Sequence, residues 1–134
     1  MALFHLQIVT ADGLFFDDEA ESILVRTIDG DVCILARHID YVTALGMGEA
    51  RVTAGGTTRR AACMGGMLAV TGGQVRVVAS TFEWKEDIDT ERALNAQQRA
   101  RNVLDSAAAS DEEKQFAQAA LERAEIRLRV AGQK

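Results

Sequence analysis

The chain has 134 residues, of which 48% are hydrophobic and 26% are charged, and its formal net charge is -5. This length fits one domain, or one small domain with an appendage, and it excludes two domains of full size. The composition is that of an ordinary globular protein, and the negative charge argues against nucleic acid as a partner. No apolar run reaches 18 residues, so we expect no direct insertion into a membrane.

The N-terminal part of the chain contains ten of the 11 glycines, all between Gly13 and Gly73. Short segments rich in β-branched residues separate these glycines, which is typical of an antiparallel β-sandwich or barrel. We predict strands at 3–10, 22–28, 32–35, 41–45, 50–53, 57–64, 67–71 and 74–80. Because glycine supplies the positive φ of tight hairpin turns, we predict turns at 12–13, 29–30, 46–48, 55–56, 65–66 and 72–73.

The same part offers few groups for chemistry. Cys33 and Cys63 lie in apolar runs, and we expect both to be buried free thiols. The acidic cluster at 17–21 lacks the central glycine of a calcium loop and is predicted to be a solvated turn. His5 and His38 have no ligand at metal-binding spacing, so we predict no metal site. Since a phosphate-binding loop and a nucleophile elbow are also missing, we do not expect an enzyme.

After Asp87 the composition changes, because alanine and long charged residues replace glycine and β-branched residues. The apolar positions then recur at steps of three and four, which predicts helices at 89–105 and from Ser110 to about Gly132. Ser110 followed by Glu113 forms a capping box, and Gly132 suits the end of a helix. The short linker at 106–109 predicts an antiparallel helical hairpin.

The apolar stripe of this predicted hairpin is mostly alanine. It comprises Ala93, Ala96, Ala100, Val103, Leu104 and Ala107 in the first helix and Phe116, Ala120, Ala124 and Leu128 in the second. Alanine side chains bury little apolar area, so the hairpin is expected to be only marginally stable without a partner surface or a ligand. The acidity of the chain belongs to residues 1–87, which hold 7 basic and 12 acidic side chains, whereas residues 88–134 hold 8 of each.

Four arginines of the hairpin have a suggestive spacing. Arg92 and Arg99 lie seven residues apart on the first helix, and Arg123 and Arg127 lie four apart on the second. From spacing alone, the favoured interpretation is that they are exposed charges paired with the nearby glutamates at 91, 122 and 125. The alternative is an anion site, because arginine forks bind phosphate through two hydrogen bonds.

Several motifs, taken in order, resemble the epsilon subunit of F-type ATP synthases. The segment at 30–38 is similar to the family's Gly-Asp/Glu-x-Gly-Ile-Leu-Pro-Gly-His, and Thr43-Ala44-Leu45 follows it as in the family. The strand at 65–70 resembles the family's Gly-Gly-x-x-x-Val. Ile88-Asp89-Thr90-Glu91-Arg92-Ala93 matches the Ile/Leu-Asp-x-x-Arg-Ala motif. The chain departs from the pattern where Cys33 replaces a glycine and Ala36-Arg37 replaces Pro-Gly.

The resemblance implies a fold and a role. It implies an α+β protein with a ten-stranded N-terminal β-sandwich, residues 1–87, followed by a regulatory helical hairpin, residues 88–134. It also implies a non-catalytic rotor subunit that binds the gamma subunit and the c-ring, peripheral to the cytoplasmic face of a bacterial membrane. The hairpin of the family either folds against the sandwich or extends into the alpha/beta catalytic head, where it inhibits ATP hydrolysis.

The resemblance further assigns residues to these contacts. Gly30 and Asp31 align with the ring-contacting turn, and His38 belongs to the contact with gamma or the ring. No cofactor is required, but ATP is a possible regulatory ligand. The expected ATP site comprises the motif residues Ile88, Asp89, Arg92 and Ala93 and the further arginines Arg99, Arg123 and Arg127.

Two alternatives remain open at this point. In the first, the sandwich is an independent adaptor that binds some other protein, and the hairpin is a static brace. In the second, the chain is a stand-alone nucleotide sensor. Only the rotor role predicts that the chain is recovered together with gamma and a c-ring, so copurification separates the three.

Overall fold

The computed structural model of the chain describes residues 2–132. Within this range eight β-strands are followed by a short 3-10 helix and two α-helices. The strands are β1 (Phe4–Thr10), β2 (Gly13–Ala20), β3 (Ser22–Thr27), β4 (Gly30–Leu35), β5 (Tyr41–Ala54), β6 (Thr57–Thr71), β7 (Gln74–Ala79) and β8 (Phe82–Trp84). The 3-10 helix is Lys85–Asp87, and the α-helices are α1 (Thr90–Leu104) and α2 (Asp111–Val130).

The strands form a β-sandwich, as predicted, with the hydrogen-bonded order β2-β1-β7-β6-β5-β3-β4. All neighbours are antiparallel except β1 and β7, which are parallel. β5 and β6 have 14 and 15 residues. The first half of β6 pairs with β8 and the second half with β7, so this strand takes part in both layers. The long strands replace four of the predicted short ones, which is one reason why eight strands are found where the resemblance implied ten.

Two of the predicted glycine turns lie inside strands instead. The 46–48 segment belongs to β5, where the pairing with β6 skips a position between Leu45 and Met47. Gly65 and Gly66 lie within β6 with φ of +82° and +129°. A Cβ atom on Gly66 would collide with the carbonyl oxygen of Val78 on the neighbouring β7. These glycines therefore permit bends and close backbone contact in long strands rather than reversals of the chain.

The prediction of a solvated turn at 17–21 was wrong. Asp17 and Glu19 lie in β2, an edge strand of the sheet, and their carboxylates face solvent. His5 on the adjacent β1 contacts Asp17 through Nε2, and its Nδ1 lies 3.8 Å from Glu19 Oε1. Acidic side chains on an exposed edge discourage pairing with strands of other molecules. The acidic cluster is thus compatible with a strand, because pairing with β1 uses only backbone groups and leaves the side chains in solvent.

The core lies between the two layers of the sandwich. Its largest fully buried side chains include Leu6, Ile8, Ile23, Ile34 and Leu68. Both cysteines are free thiols, but only Cys63 is buried, and burial raises its pKa to about 12. Cys33 is exposed, contrary to the prediction, because it occupies an outward position of the edge strand β4.

Both helices begin as the sequence predicted. Asp89 is the N-cap of α1, and Ser110 caps α2 in a complete capping box with Glu113. The hydrogen bonds that Glu113 accepts from the backbone of Ser110 and makes with its hydroxyl lower the pKa of this carboxylate. α2 ends at Val130 with Ala131 as its C-cap, and Gly132 follows with a φ of +89°.

The burial of the helices differs in part from the predicted stripe. α1 buries Ala93 and Ala100, and α2 buries Ala117, Ala124, Ile126, Leu128 and Val130. Phe116 is 70% exposed, so its assignment to the stripe was wrong. It precedes the buried Ala117 by one residue, which turns its side chain by about 100°.

The chain divides into two compact units. One ends at Lys85 and the other begins at Glu86. The sequence predicted that residues 1–87 form a separately folded domain and that residues 88–134 form the hairpin domain. That boundary for independent folding stays a prediction.

Candidate functional site

The Ile88 to Ala93 motif forms the start of α1, and three of its four key residues have structural tasks. Ile88 and Ala93 are buried. Asp89 Oδ1 accepts a hydrogen bond from the backbone N–H of Arg92 at 3.0 Å, so the carboxylate caps the helix. Four motif side chains were expected to bind a nucleotide. Arg92 is the one among them that is exposed and does not cap the helix.

The four arginines lie where the sequence placed them along the two helices. Arg92 and Arg99 are exposed, whereas Arg123 and Arg127 are half-buried. Each of the four immediately precedes a buried residue of its helix. Within residues 2–132, no ion pair is found for Arg92, Arg99 or Arg123. Pairing with nearby glutamates, the interpretation favoured from spacing, is therefore not supported for these three.

The turn between β3 and β4 contains the predicted ring contact. Thr27 Oγ1 donates to the carbonyl oxygen of Gly30 at 2.7 Å and accepts from the N–H of Asp29 at 3.1 Å. Gly30 has a φ of +119°, which the turn requires. Asp31 follows as an outward residue of β4, and its carboxylate lies 3.5 Å from Nη1 of Arg26.

His38 lies beyond the opposite end of β4. Its Nδ1 is 2.7 Å from the carbonyl oxygen of Ile39, and its ring centroid is 5.9 Å from that of Tyr41. Asp40 Oδ1 accepts from the N–H of Gly72, which fastens the loop to the β6–β7 turn. β4 spans about 13 Å between Asp31 and Leu35 alone. The predicted contact residues therefore belong to two places on the sandwich, not to one patch.

Arg37, within the same loop, has a φ of +64°. It occupies the position where the resembled family has glycine in Pro-Gly-His. The backbone at Arg37 has the left-handed conformation that suits glycine, although the residue is arginine. An L-residue in this conformation costs about 1–2 kcal/mol.

An apolar row on the outer face of the sandwich was not predicted. The strand registers align Leu14 with Val9, Val9 with Val78, Val78 with Met67, and Met67 with Ala44. The N–H of Ile28 donates to the carbonyl oxygen of Ala44 and extends the row to the β3–β4 turn. Leu14, Ile28, Met67 and Val78 are exposed, and Val9 and Ala44 are partly so. The alternation of each strand marks these positions as outward, but only the registers bring them together.

Neither a metal site nor a helix that could span a membrane is found in the described part of the chain. No group of three metal-binding side chains comes together among residues 2–132. In the same range, neither helix is both long and apolar enough to cross a bilayer.

Comparisons with known proteins cover nearly the whole chain. Residues 3–85 match the family "ATP synthase, Delta/Epsilon chain, beta-sandwich domain", and residues 86–132 match "ATP synthase, Delta/Epsilon chain, long alpha-helix domain". The chain is 42% identical to the ATP synthase epsilon chain of Caldicellulosiruptor saccharolyticus, over 97% of this chain and 94% of that one. It is 36% identical to the epsilon chain of Halalkalibacterium halodurans, over 98% and 99%.

Solved structures agree with this relationship. A chain of the Euglena gracilis mitochondrial ATP synthase, described as OSCP/F1/c-ring, has a TM-score of 0.81 at 26% identity, over 93% of this chain and 79% of that one. A chain of the Tetrahymena thermophila central stalk and c-ring has a TM-score of 0.66 at 8% identity, over 95% of both chains, and shares the fold. The expected non-catalytic, epsilon-type subunit of an F-type ATP synthase is confirmed. The chain belongs to the ATP synthase delta/epsilon chain family.

Proposed function

We propose that the chain works in the rotor of a bacterial proton-translocating ATP synthase, where it joins the gamma subunit to the c-ring. Its relatives of similar length are named epsilon chains, and the Euglena neighbour comes from an assembly that contains F1 and a c-ring. In this role the chain is peripheral to the cytoplasmic face of the cell membrane.

The apolar row is the observation that supports a large protein partner. Monomeric proteins rarely leave a contiguous apolar strip of this kind open to water, and such strips mark protein interfaces. The row crosses five strands and reaches Ile28 at the β3–β4 turn. We assign it to gamma, because the resemblance implies that the sandwich binds gamma and the c-ring, and the ring contact is assigned to the β3–β4 turn.

The two ends of β4 are assigned to separate contacts. The Gly30–Asp31 turn is proposed to meet the polar loops of the c-ring, because it is exposed and held rigid by Thr27. The loop with His38 is proposed to contact gamma. A Cys at position 31 should therefore crosslink to the c subunit, whereas one at position 38 should not.

The hairpin is proposed to regulate ATP hydrolysis. Its α1 helix buries only two alanines, so α1 contributes little apolar area to any one arrangement of the hairpin. An element with a small free-energy difference between two states is suited to switching. In the extended state the hairpin would reach the alpha/beta head and inhibit hydrolysis. Truncation after Asp87 should then leave a chain that still joins the rotor, with hydrolysis unchanged or raised.

ATP is proposed to stabilise the compact state of the hairpin. In an antiparallel helix pair, residues that precede the inward positions by one lie on the same side of both helices. This geometry places Arg92, Arg99, Arg123 and Arg127 along one side of the hairpin, where guanidinium groups can bind phosphates. ATP at 100 times its dissociation constant would supply about 2.7 kcal/mol, which is enough to bias a marginal element.

Copurification tests the rotor role. A tagged chain should recover gamma and the c-ring from detergent-solubilised membranes of its source. Val78→Lys, in the apolar row, should lower this recovery at least about tenfold, because a desolvated charge would enter the interface. Thr71→Lys is the matched control, since Thr71 is exposed on the outer face of β6 outside the row. Recovery of other proteins without gamma would favour the independent adaptor instead.

Calorimetry with the full chain tests the nucleotide site. We expect heat on addition of millimolar ATP, and a clear loss of affinity in Arg92→Gln. Arg101→Gln is the control, because Arg101 is an exposed arginine of α1 outside the set of four. Asp89 is left unchanged, since its replacement would also remove the helix cap. Equal heats for wild type and Arg92→Gln would remove the nucleotide site and leave the rotor role intact.

A further inference from the structure

Arg26 and Asp31 form an ion pair at the turn that is proposed to meet the c-ring. They face each other directly in the register of β3 and β4. Arg26 Nη1 lies 3.5 Å from Asp31 Oδ1, and the two side chains are 53% and 55% exposed. The pair therefore lies at the surface, where another molecule can reach both charges.

The backbone of β5 holds the stem of Arg26 in place. A Cβ atom on Gly48 would lie 2.8 Å from Arg26 Cβ and 3.1 Å from its Cγ. A Cβ atom on Gly46 would lie 3.6 Å from the same Cγ. Because the two glycines have no side chains, the aliphatic part of Arg26 can pack directly against the backbone of β5. This packing limits the rotamers of Arg26 and directs its guanidinium towards Asp31.

Stability of the fold does not account for this arrangement. Exposed ion pairs typically contribute little to folding, because water and salt screen them. Two glycines in a strand also lower its intrinsic stability. A prearranged surface pair is instead what a specific contact requires, because less conformational entropy is lost on binding.

We propose that Arg26 is a positioning residue for Asp31, so that the ring-facing surface presents an ion pair and not an isolated carboxylate. This inference rests on the proposed contact between the Asp31 turn and the c-ring. The complementary surface is a polar loop that offers both a donor and an acceptor, such as side-chain amides. A loop with only cationic groups would be repelled by Arg26 as well as attracted by Asp31.

A double-mutant cycle tests the proposal in binding to the solubilised rotor of gamma and c-ring. We expect Arg26→Gln and Asp31→Asn each to weaken binding about 3- to 10-fold, the range of a charged contact at an interface. The double variant should be no weaker than either single variant. Arg26→Lys should recover part of the affinity, which a purely steric role would not predict. Effects that multiply in the double variant, or no effect of Arg26→Gln, would overturn the positioning role.

Two further variants separate this proposal from the ring contact on which it rests. Asp29→Asn removes the same charge from the same turn, and its effect should be independent of Arg26. Gly48→Ala must displace the stem of Arg26 and should reproduce the loss seen in Arg26→Gln. If Asp31→Asn weakens binding independently of Arg26, only the positioning role is wrong. If neither Asp31→Asn nor crosslinking through a Cys at position 31 has any effect, the ring contact itself is wrong. Thermal melts of the isolated variants establish that they are folded.

Discussion

The β-sandwich and the first helix of the hairpin bury very different kinds of side chain. The sandwich encloses large aliphatic residues such as Leu6, Ile8 and Leu68, which are inaccessible to water. Full burial of each contributes about 1.5–3 kcal/mol. In the hairpin, α1 buries only Ala93 and Ala100, and the large aliphatic residues are confined to the end of α2, where Ile126, Leu128 and Val130 are buried. The comparison suggests a division of tasks, in which the sandwich provides a fixed platform and the hairpin an element that can change state.

Both helices of the hairpin begin at well-defined N-caps. Asp89 and Ser110 each accept a hydrogen bond from a backbone N–H of the first turn, and Glu113 completes the capping box. Each cap contributes about 1 kcal/mol. Local interactions of this kind persist when a helix changes its partner, whereas a packed core does not. Substitutions in each unit test this contrast.

The largest effect is expected from Gly66→Ala in the sandwich. The new methyl group would collide with the Val78 carbonyl oxygen, and φ of +129° is unfavourable for alanine. We expect a loss of about 3 kcal/mol or more in the free energy of unfolding. Urea titration followed by the fluorescence of Trp84, which packs in the sandwich core, measures it.

Gly72→Ala is the control for this substitution. Its φ is +57°, and no atom lies within 4 Å of the added methyl group, so only the conformational cost of about 1–2 kcal/mol applies. Equal losses for the two variants would show that the β6–β7 backbone contact is not tightly packed.

The next effect is expected from Glu49→Gln, also in the sandwich. Burial raises the pKa of Glu49, but hydrogen bonds from Arg60 and Arg51 outweigh burial and lower it below the ordinary value of 4.5. The 2.7 Å bond from Arg51 Nε and the contact with Arg60 would be weakened in the variant. We expect a loss of about 1–2 kcal/mol at neutral pH.

The direction of the pH dependence follows from the lowered pKa of Glu49. A carboxylate whose pKa is lower in the folded state stabilises the fold above its unfolded pKa. That contribution disappears as the pH falls through the folded pKa, so the difference between Glu49→Gln and wild type should shrink below about pH 4.5. A difference that stays constant down to strong acid would contradict the ionic origin. Asp12→Asn, in the exposed β1–β2 turn, is the control.

In the hairpin, Asp89→Ala is expected to cost about 1 kcal/mol by removing the N-cap of α1. Hydrogen exchange of the first-turn amides of α1 should accelerate about fivefold, and Trp84 should still report the wild-type unfolding midpoint of the sandwich. Asp89→Asn keeps an acceptor oxygen and should resemble wild type. A lowered sandwich midpoint in Asp89→Ala would show that the two units do not unfold independently.

The smallest effect is a gain of about 0.5–1 kcal/mol in the sandwich from Arg37→Gly. Glycine adopts the observed φ of +64° without the penalty of a side chain, although it adds entropy to the unfolded chain. Arg37→Ala removes the charge but keeps the backbone strain, so it should leave the unfolding midpoint unchanged. A gain in Arg37→Ala of the same size would attribute the effect to charge.

Local patterns were sufficient to predict the helical hairpin and the β-structure of the N-terminal unit. Caps and periodicity depend on residues three or four apart, so both helices begin at the expected residues, Thr90 after Asp89 and Asp111 after Ser110. Likewise, glycine content and β-branched runs predicted an all-β N-terminal unit. The candidate arginines could also be placed on their helices from spacing alone.

Features that depend on pairing between distant segments could not be predicted. The exposure of Cys33 follows from the edge position of β4, and the strand conformation of 17–19 follows from pairing with β1. The apolar row exists only because particular registers align residues from separate strands. The same is true of the Arg26–Asp31 pair and of the packing of Arg26 against Gly46 and Gly48. Sequence patterns thus predicted the two helices, their caps and the family, because these depend on short-range chemistry, whereas the bounds of several strands did not follow from them. Which side chains share a surface depends on the tertiary structure, because register and strand order are set by contacts across the whole core.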